Sequence, residues 1–240
     1  MAVPRLISAA GDEIMKMSPM DLKESIFKSE GRVVMGQHLL FAGQGLVRGV
    51  TNSELMFAFG ADMVMLNTFD LDNLDNNPGL CGLSFQELKA KCRRPIGIYL
   101  GCPKAGSEDG GKKALYRREG MLASDKHVEK CLELGADCID LPAPGSRHGI
   151  SVEMIRELVE FVHRYKPGTL TMTFLNSSVE CADPDTIRLI ALKMKETGAD
   201  IHAIGDGGFS GCTSPENIHQ LSVSLKGRQY TYFRMASVNR

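Results

Sequence analysis

Short apolar runs alternate with amphipathic segments from one end of the chain to the other. Most of the runs are continuous rather than strictly alternating, a pattern typical of strands that are buried on both faces of a parallel sheet. The predicted strands are Arg32–Met35, Met63–Asn67, Ile96–Leu100, Cys138–Leu141, Leu170–Leu175, Ile201–Ile204 and Tyr230–Met235, with Leu6–Ala10 as an eighth.

The segments between these runs carry helix signals. Ser18, Asp183 and Ser214 each stand directly before a proline. This order places a capping side chain at the N-cap and the proline at the first helical position. Ser151 precedes VEMIRELVEFVHRY, in which apolar residues recur at helical spacing. The connections between the strands are therefore predicted to be helices.

The tripeptide Gly-Ala-Asp followed by a short apolar run occurs three times. The sequences GADMVML, GADCIDL and GADIHAI begin at Gly60, Gly135 and Gly198, and each follows a helix-like segment. Glycine at the end of a helix adopts the left-handed conformation without steric cost. The repeat therefore indicates a recurring helix-to-strand connection.

This alternation predicts a single α/β domain over residues 1–240, with the architecture of a (β/α)8 TIM-type barrel. If Leu6–Ala10 is the first strand, the barrel has eight strands, which we favour because an unclosed sheet leaves an unpaired edge. If that segment caps the barrel as a helix, the barrel is incomplete at its C-terminal end. A doubly wound open sheet is the other arrangement, but no GxGxxG follows the first strand.

Composition narrows the class of protein. The 240 residues include 28 basic and 29 acidic side chains, so the chain lacks the positive charge by which proteins bind nucleic acid or anionic membranes. No apolar run approaches the roughly 20 residues of a membrane span. The seven cysteines contain no CxxC pair. We therefore expect a cytoplasmic protein with reduced thiols and no nucleic-acid or membrane partner.

The sequence GDGGFSG follows the strand Ile201–Ile204. Active sites of such barrels lie at the carboxyl ends of the strands. Closely spaced glycines expose backbone N–H groups that bind anions, and the helix predicted to start near Ser214 adds the positive end of its dipole. This loop is therefore predicted to bind phosphate. The predicted phosphate-binding residues are Gly207, Gly208, Ser210 and Gly211.

Titratable and polar side chains follow other strands. Asp140, His148 and Asp206 are the candidate catalytic acids and bases, because they lie on or after predicted strand ends and can exchange protons. Glu180 can supply a further base. The candidate substrate-orienting residues are Gln37, His38, Asn67, Asn176 and Arg234. The spacing of these residues matches no metal-binding motif, and the sequence requires no cofactor. Their oxygen and imidazole groups can nevertheless bind a divalent ion such as Mg²⁺.

The GAD-strand repeats and GDGGFSG before a helix resemble the phosphate-binding (β/α)8 barrels, a group that includes sugar-phosphate epimerases and barrels of tryptophan and histidine biosynthesis. VVMGQHLLF, followed by a GAD-strand that ends at Asn67, is also similar to the BtpA-like barrels. The resemblance implies this fold and a phosphate loop. The paired aspartates and metal-binding histidines of the epimerases are not reproduced, and the lysine of Schiff-base aldolases is absent from the strand ends.

Two functions follow from this sequence. The first is an enzyme acting on a small phosphorylated metabolite by acid–base catalysis, as an isomerase, epimerase or lyase. The second is a non-catalytic barrel that binds a metabolite for regulation or assembly. In either case we expect a homo-oligomer.

Overall fold

The computed structural model describes residues 2–43, 45–70, 72–99, 125–205, 207 and 211–237. Within these ranges, six parallel strands form one curled sheet in the order β3-β2-β1-β6-β5-β4. The strands are β1 (Val33–Leu39), β2 (Met63–Asn67), β3 (Ile96–Ile98), β4 (Cys138–Pro142), β5 (Leu170–Leu175) and β6 (Ile201–Ile204).

Two helices precede the first strand and pack with the N-terminal segment, and the later helices follow the strands in the chain. They are α1 (Gly11–Ile14), α2 (Pro19–Phe27), α3 (Asn52–Ala58), α4 (Phe85–Cys92), α5 (Asp125–Glu133), α6 (Val152–Tyr165), α7 (Pro184–Glu196) and α8 (Pro215–Ala236), with 3-10 turns at Leu6–Ser8, Pro78–Leu80 and Ser178–Cys181. The predicted N-caps are confirmed, since the side chains of Ser18, Ser151, Asp183 and Ser214 each accept a backbone N–H of the first turn.

The sheet confirms the predicted α/β barrel architecture, with six strands in the described ranges in place of the eight that we favoured. β1 pairs with β6, so the first and last strands are neighbours, as in a barrel. The edge strands of the described sheet are β3 and β4. Residues 100–124 come between these two strands in the chain and lie outside the described part. Within the described ranges the open edge is thus in the middle of the chain, and not at the C-terminal end.

Two predicted strands are wrong. Leu6–Ala10 contains a 3-10 turn over Leu6–Ser8, and Tyr230–Met235 belongs to helix α8. In α8, Thr231 and Arg234 are buried three residues apart, which is helical spacing. The β-branched and aromatic residues of this segment are typical of a strand, but in the helix they lie on different faces, with Thr231 buried and Tyr232 exposed.

The N-terminal segment fills the amino end of the concave face of the sheet. Leu6, Ile7 and Ala9 are fully buried and pack in one cluster with β1, β5 and β6 side chains. Val33 and Met35 belong to this cluster, whereas the intervening Val34 packs against the outer helices. Successive strand residues thus point to opposite faces. Because apolar side chains occupy the amino end, the space left on the concave face lies towards the carboxyl ends.

A buried ionic network lies beneath the strands. Asp62 precedes β2 and is fully buried. Its carboxylate accepts Lys226 Nζ at 2.5 Å, Arg234 Nε at 2.8 Å and the Val34 backbone N–H at 2.9 Å. Arg234 also donates to the Ala9 carbonyl. This network ties helix α8 and the N-terminal segment to the amino ends of the strands.

Candidate active site

An open cavity of about 390 Å³ occupies the carboxyl side of the concave face. Side chains from five of the six strands, or from the residues just beyond them, line it. The lining residues are Gln37, Met65, Asn67, Tyr99, Cys138, Asp140, Met172, Phe174 and Asn176. A concave pocket that combines apolar walls with a few polar groups is the usual form of a small-molecule site.

Four residues predicted from sequence meet in this cavity. Asp140 comes from β4, Gln37 from β1 and Asn67 from the end of β2, while Asn176 follows β5 directly. They share it because alternate residues of parallel strands point to the same face. Three carboxamides and one carboxylate can bind a carbonyl or hydroxyl group and exchange a proton with it.

The Gln37 side chain is buried to an unusual degree for a cavity residue. It is 4% exposed, and its Oε1 atom makes no hydrogen bond within the described structure. β1 extends to Leu39, four residues beyond the predicted strand end. Gln37 therefore lies within the strand, opposite Met65 in register, rather than in a loop.

Cys138 brings a thiol to the same cavity. Its side chain is accessible from the cavity, yet protein atoms surround it closely enough to desolvate a thiolate. This burial, with a smaller effect from the carboxylates of Asp140 and Asp200, raises the pKa of Cys138 to about 12. The thiol stays protonated near neutral pH, so it acts as a neutral wall and not as a nucleophile.

The loop after β6 is only partly described. Asp206, Gly208 and Ser210, which were predicted to act in proton transfer and phosphate binding, lie outside the described residues. Gly207 and Gly211 are described, and both have positive φ, at 67° and 78°. A Cβ on Gly207 would meet the Cys212 carbonyl, and one on Gly211 would meet Ala42. Close backbone packing therefore requires glycine at both positions, whatever they bind.

Glu180 occupies part of this loop. The carboxylate of Glu180 accepts the Gly207 backbone N–H at 2.8 Å, and it fills the space that a side chain at Gly205 would need. The Glu180 carbonyl accepts Thr213 Oγ1 and Asn217 Nδ2, so the loop after β5 is fixed to the start of α8. The N–H predicted to meet phosphate is therefore already bound to an anionic oxygen of the protein. Sequence reasoning gave Glu180 a possible base role but did not foresee this contact.

Three predicted site residues lie away from the cavity. His148 is exposed in the loop after β4 and is not part of the cavity lining. His38 faces the outer helices, where it is fully buried beside Ser53, with His38 Nδ1 2.8 Å from Ser53 Oγ. Burial lowers the pKa of His38 to about 4, so the ring is neutral near pH 7. The structure places Arg234 in the Asp62 network at the amino end, where it stabilises the fold.

Metal-binding clusters and membrane-spanning helices are both absent from the described ranges. No group of three or more histidine, cysteine or acidic side chains there is arranged to hold a metal ion. Every helix in the same ranges is too short or too polar to cross a bilayer.

The chain matches a known sequence family over most of its length. A family profile described as "Domain of unknown function (DUF7916)" matches residues 7–137 and 119–240. No curated protein matches the chain.

Among solved structures, the chain is similar to (S)-3-O-geranylgeranylglyceryl phosphate synthase from Thermoplasma acidophilum, in complex with its substrate sn-glycerol-1-phosphate. The identity is 15% and the TM-score 0.54, with 88% of this chain and 100% of that chain covered. The carboxyl transferase domain of Rhizobium etli pyruvate carboxylase matches at 12% identity and a TM-score of 0.26, covering 85% of this chain and 35% of that one. The first likeness establishes the barrel fold, and the second is too low to support a conclusion.

Proposed function

The chain belongs to the DUF7916 family, and from this premise we propose that it is an enzyme acting on a small phosphorylated metabolite by acid–base chemistry at the carboxyl ends of the strands. One observation carries the proposal. Asp140 lies in the same cavity as the carboxamides of Gln37, Asn67 and Asn176. A proton-transfer group is thus placed among groups that can orient a carbonyl or hydroxyl.

The phosphate is assigned to the loop that leads from β6 to α8. The Gly207 N–H in this loop already binds an anionic oxygen, from Glu180, at 2.8 Å. Helix α8 begins directly beyond it, and the amino end of a helix favours negative charge. A phosphate oxygen would replace the Glu180 carboxylate at Gly207. The barrel of similar fold was solved with a glycerol phosphate, which is consistent with this assignment.

The proposed chemistry is proton transfer at carbon beside a carbonyl. The Asp140 carboxylate takes a proton from that carbon, and the electron pair moves onto the carbonyl oxygen as an enolate forms. The carboxamide N–H groups of Asn67 and Asn176 stabilise this oxygen. Return of the proton to a neighbouring atom or to the other face completes an isomerisation or epimerisation, and loss of a leaving group completes a lyase reaction. Asp206, which follows β6, is proposed as a further proton carrier. If a divalent ion takes part, Asp140 and Asn67 offer oxygen ligands of the type that Mg²⁺ prefers.

The test is ligand binding followed by hydrogen exchange. Sugar and triose monophosphates are screened by thermal shift, and compounds that bind are incubated in D₂O and followed by NMR. We expect carbon-bound hydrogen to exchange with wild-type protein. Asp140→Asn should lower the exchange rate by roughly 10²–10⁴-fold, the range of a general base.

The matched control is Asp137→Asn. Asp137 precedes the same strand but is exposed and paired with Lys23, away from the cavity. This variant should exchange at the wild-type rate. Tight binding with no exchange in the wild-type protein would contradict the enzyme and identify the second function, a metabolite-binding barrel without catalysis. Failure of every monophosphate to bind would refute both.

A further inference from the structure

We propose that the Gln37 carboxamide recognises a hydroxyl group of the ligand, so that the cavity selects polyhydroxylated phosphates over their deoxy counterparts. This inference deepens the proposed function and rests on it for the phosphate. The hydroxyl itself is inferred separately, from the surroundings of Gln37.

Gln37 combines deep burial with an unused acceptor. Gln37 is only 4% exposed, and its Oε1 atom is shielded from solvent and has no hydrogen-bond donor among the described residues. The neighbour in register on β2 is Met65, whose side chain offers no N–H or O–H. Met172 and Phe174 provide further apolar wall on the other side of the cavity. Among the described residues, no protein group therefore bonds to this acceptor, although Gln37 lines the cavity.

Other buried polar side chains of the strands behave differently. Thr173 and His202 bond to each other, with Thr173 Oγ1 2.6 Å from His202 Nδ1. Thr171 donates to Asp200 at 2.9 Å. These pairs face the outer helices. Because more than roughly 90% of buried polar groups in proteins have partners, an orphan that also lines a cavity calls for an explanation.

A ligand hydroxyl supplies the missing partner. It donates its O–H to Oε1, and a second hydroxyl on the adjacent carbon can accept the Gln37 Nε2–H. A ketone or a carboxylate in the same place can only accept, and would leave Oε1 unsatisfied. The chemical class selected is thus a phosphate ester with at least one free hydroxyl, and a vicinal diol satisfies both ends of the carboxamide.

The expected discrimination follows from the cost of a buried acceptor without a partner. A deoxy ligand that excludes water from the cavity and leaves Oε1 unsatisfied should bind roughly 5- to 150-fold more weakly than its hydroxylated counterpart. The Gln37→Met variant removes the carboxamide while keeping a side chain of similar length. It should bind both members of such a pair equally, and without ligand it should unfold at a higher temperature than wild type, because the orphan acceptor is gone.

The experiment uses pairs of monophosphates that differ by one hydroxyl: glycerol against propanediol monophosphate, and ribose against deoxyribose monophosphate. The same pairs without phosphate are titrated as free polyols. Dissociation constants are measured by calorimetry for wild type, Gln37→Met and the control Met65→Leu, which changes the adjacent wall without removing a polar group. Wild type and Met65→Leu should prefer the hydroxylated member, and Gln37→Met should not.

The outcomes separate this inference from the proposed function. If wild type binds both members of each pair equally, the inference is overturned while phosphate binding stands; that result would mean that water satisfies Gln37. If free polyols bind with a preference that depends on Gln37 but phosphate adds nothing, the proposed phosphate site fails and the hydroxyl recognition stands. If no hydroxylated compound of either kind binds, the inference is overturned. Should Gln37→Met fail to fold, the wild-type pairs decide alone.

Discussion

The buried network around Asp62 allows a quantitative test of where Arg234 belongs. In the variant Asp62→Asn, Lys226 and Arg234 stay at fully buried positions but lose the carboxylate that faces them. The new amide oxygen can still accept the Val34 backbone N–H. We expect a large loss of stability with no loss of ligand affinity, because the network lies at the amino ends of the strands and the cavity at their carboxyl ends.

The magnitude follows from the geometry. Removing one partner from a buried, hydrogen-bonded ion pair costs about 3–5 kcal/mol, since the remaining charge stays desolvated. For a chain of this length, 1 kcal/mol lowers the unfolding midpoint by about 2–4 °C. Asp62→Asn should therefore lower the midpoint by about 6–20 °C.

The assay is thermal unfolding followed by circular dichroism, with Asp185→Asn as the control. Asp185 and Arg188 also form an ion pair, at 3.7 Å, but the Asp185 side chain is 88% exposed. Exposed pairs contribute about 0–1 kcal/mol, so the control should change the midpoint by no more than a few degrees. Equal shifts for the two variants would refute the argument that burial makes the Asp62 network important. A selective loss of phosphate binding in Asp62→Asn would instead support the sequence-based prediction that Arg234 orients the substrate.

Two further predictions concern single side chains. In Glu180→Gln, the Gly207 N–H bonds to a neutral amide oxygen, which phosphate should displace more readily. Inorganic phosphate should therefore bind about fivefold more tightly in a calorimetric titration. Unchanged affinity would argue against phosphate at Gly207. His202 is buried, and desolvation lowers its pKa from 6.5 to about 4, so between these pH values the unfolded chain binds more protons than the folded one. Stability should fall as the pH falls through this window, by up to about 1.4 kcal/mol per pH unit for this residue. In urea unfolding, His202→Gln should show a shallower pH dependence than wild type, and an identical slope would contradict this role.

Strands buried on both faces were the part of the fold that sequence predicted best. Met63–Asn67, Leu170–Leu175 and Ile201–Ile204 match the observed bounds, because continuous apolar runs flanked by glycine and capping residues leave few alternatives. Tyr230–Met235 was misassigned because its composition suits a strand, while its burial has helical spacing. Local pattern could not reveal that Asp62, far away in sequence, pairs with Arg234 of this segment.

For the candidate site, sequence located the strand ends but not the direction of each side chain. Asp140, Asn67 and Asn176 do line the cavity, as expected from residues on or after strands. Gln37 and His38 are adjacent in sequence, yet only the former faces the cavity, since neighbouring strand residues point to opposite faces. Choosing between them required the register of β1. The Glu180 contact with Gly207 joins residues 27 positions apart and leaves no local signature.

The pairing of β1 with β6 also bears on when the sheet can form during synthesis. Val33 meets Ile201 in that pairing, so a central seam of the sheet joins segments separated by 168 positions. Pairings between distant segments form slowly, because loop-closure entropy is lost before the contacts stabilise the chain. During synthesis, β1 emerges long before its partner and must wait with one edge unpaired. The hydroxyl recognition proposed for Gln37 should therefore depend on this pairing, and truncated or nascent forms that lack β6 should not display it.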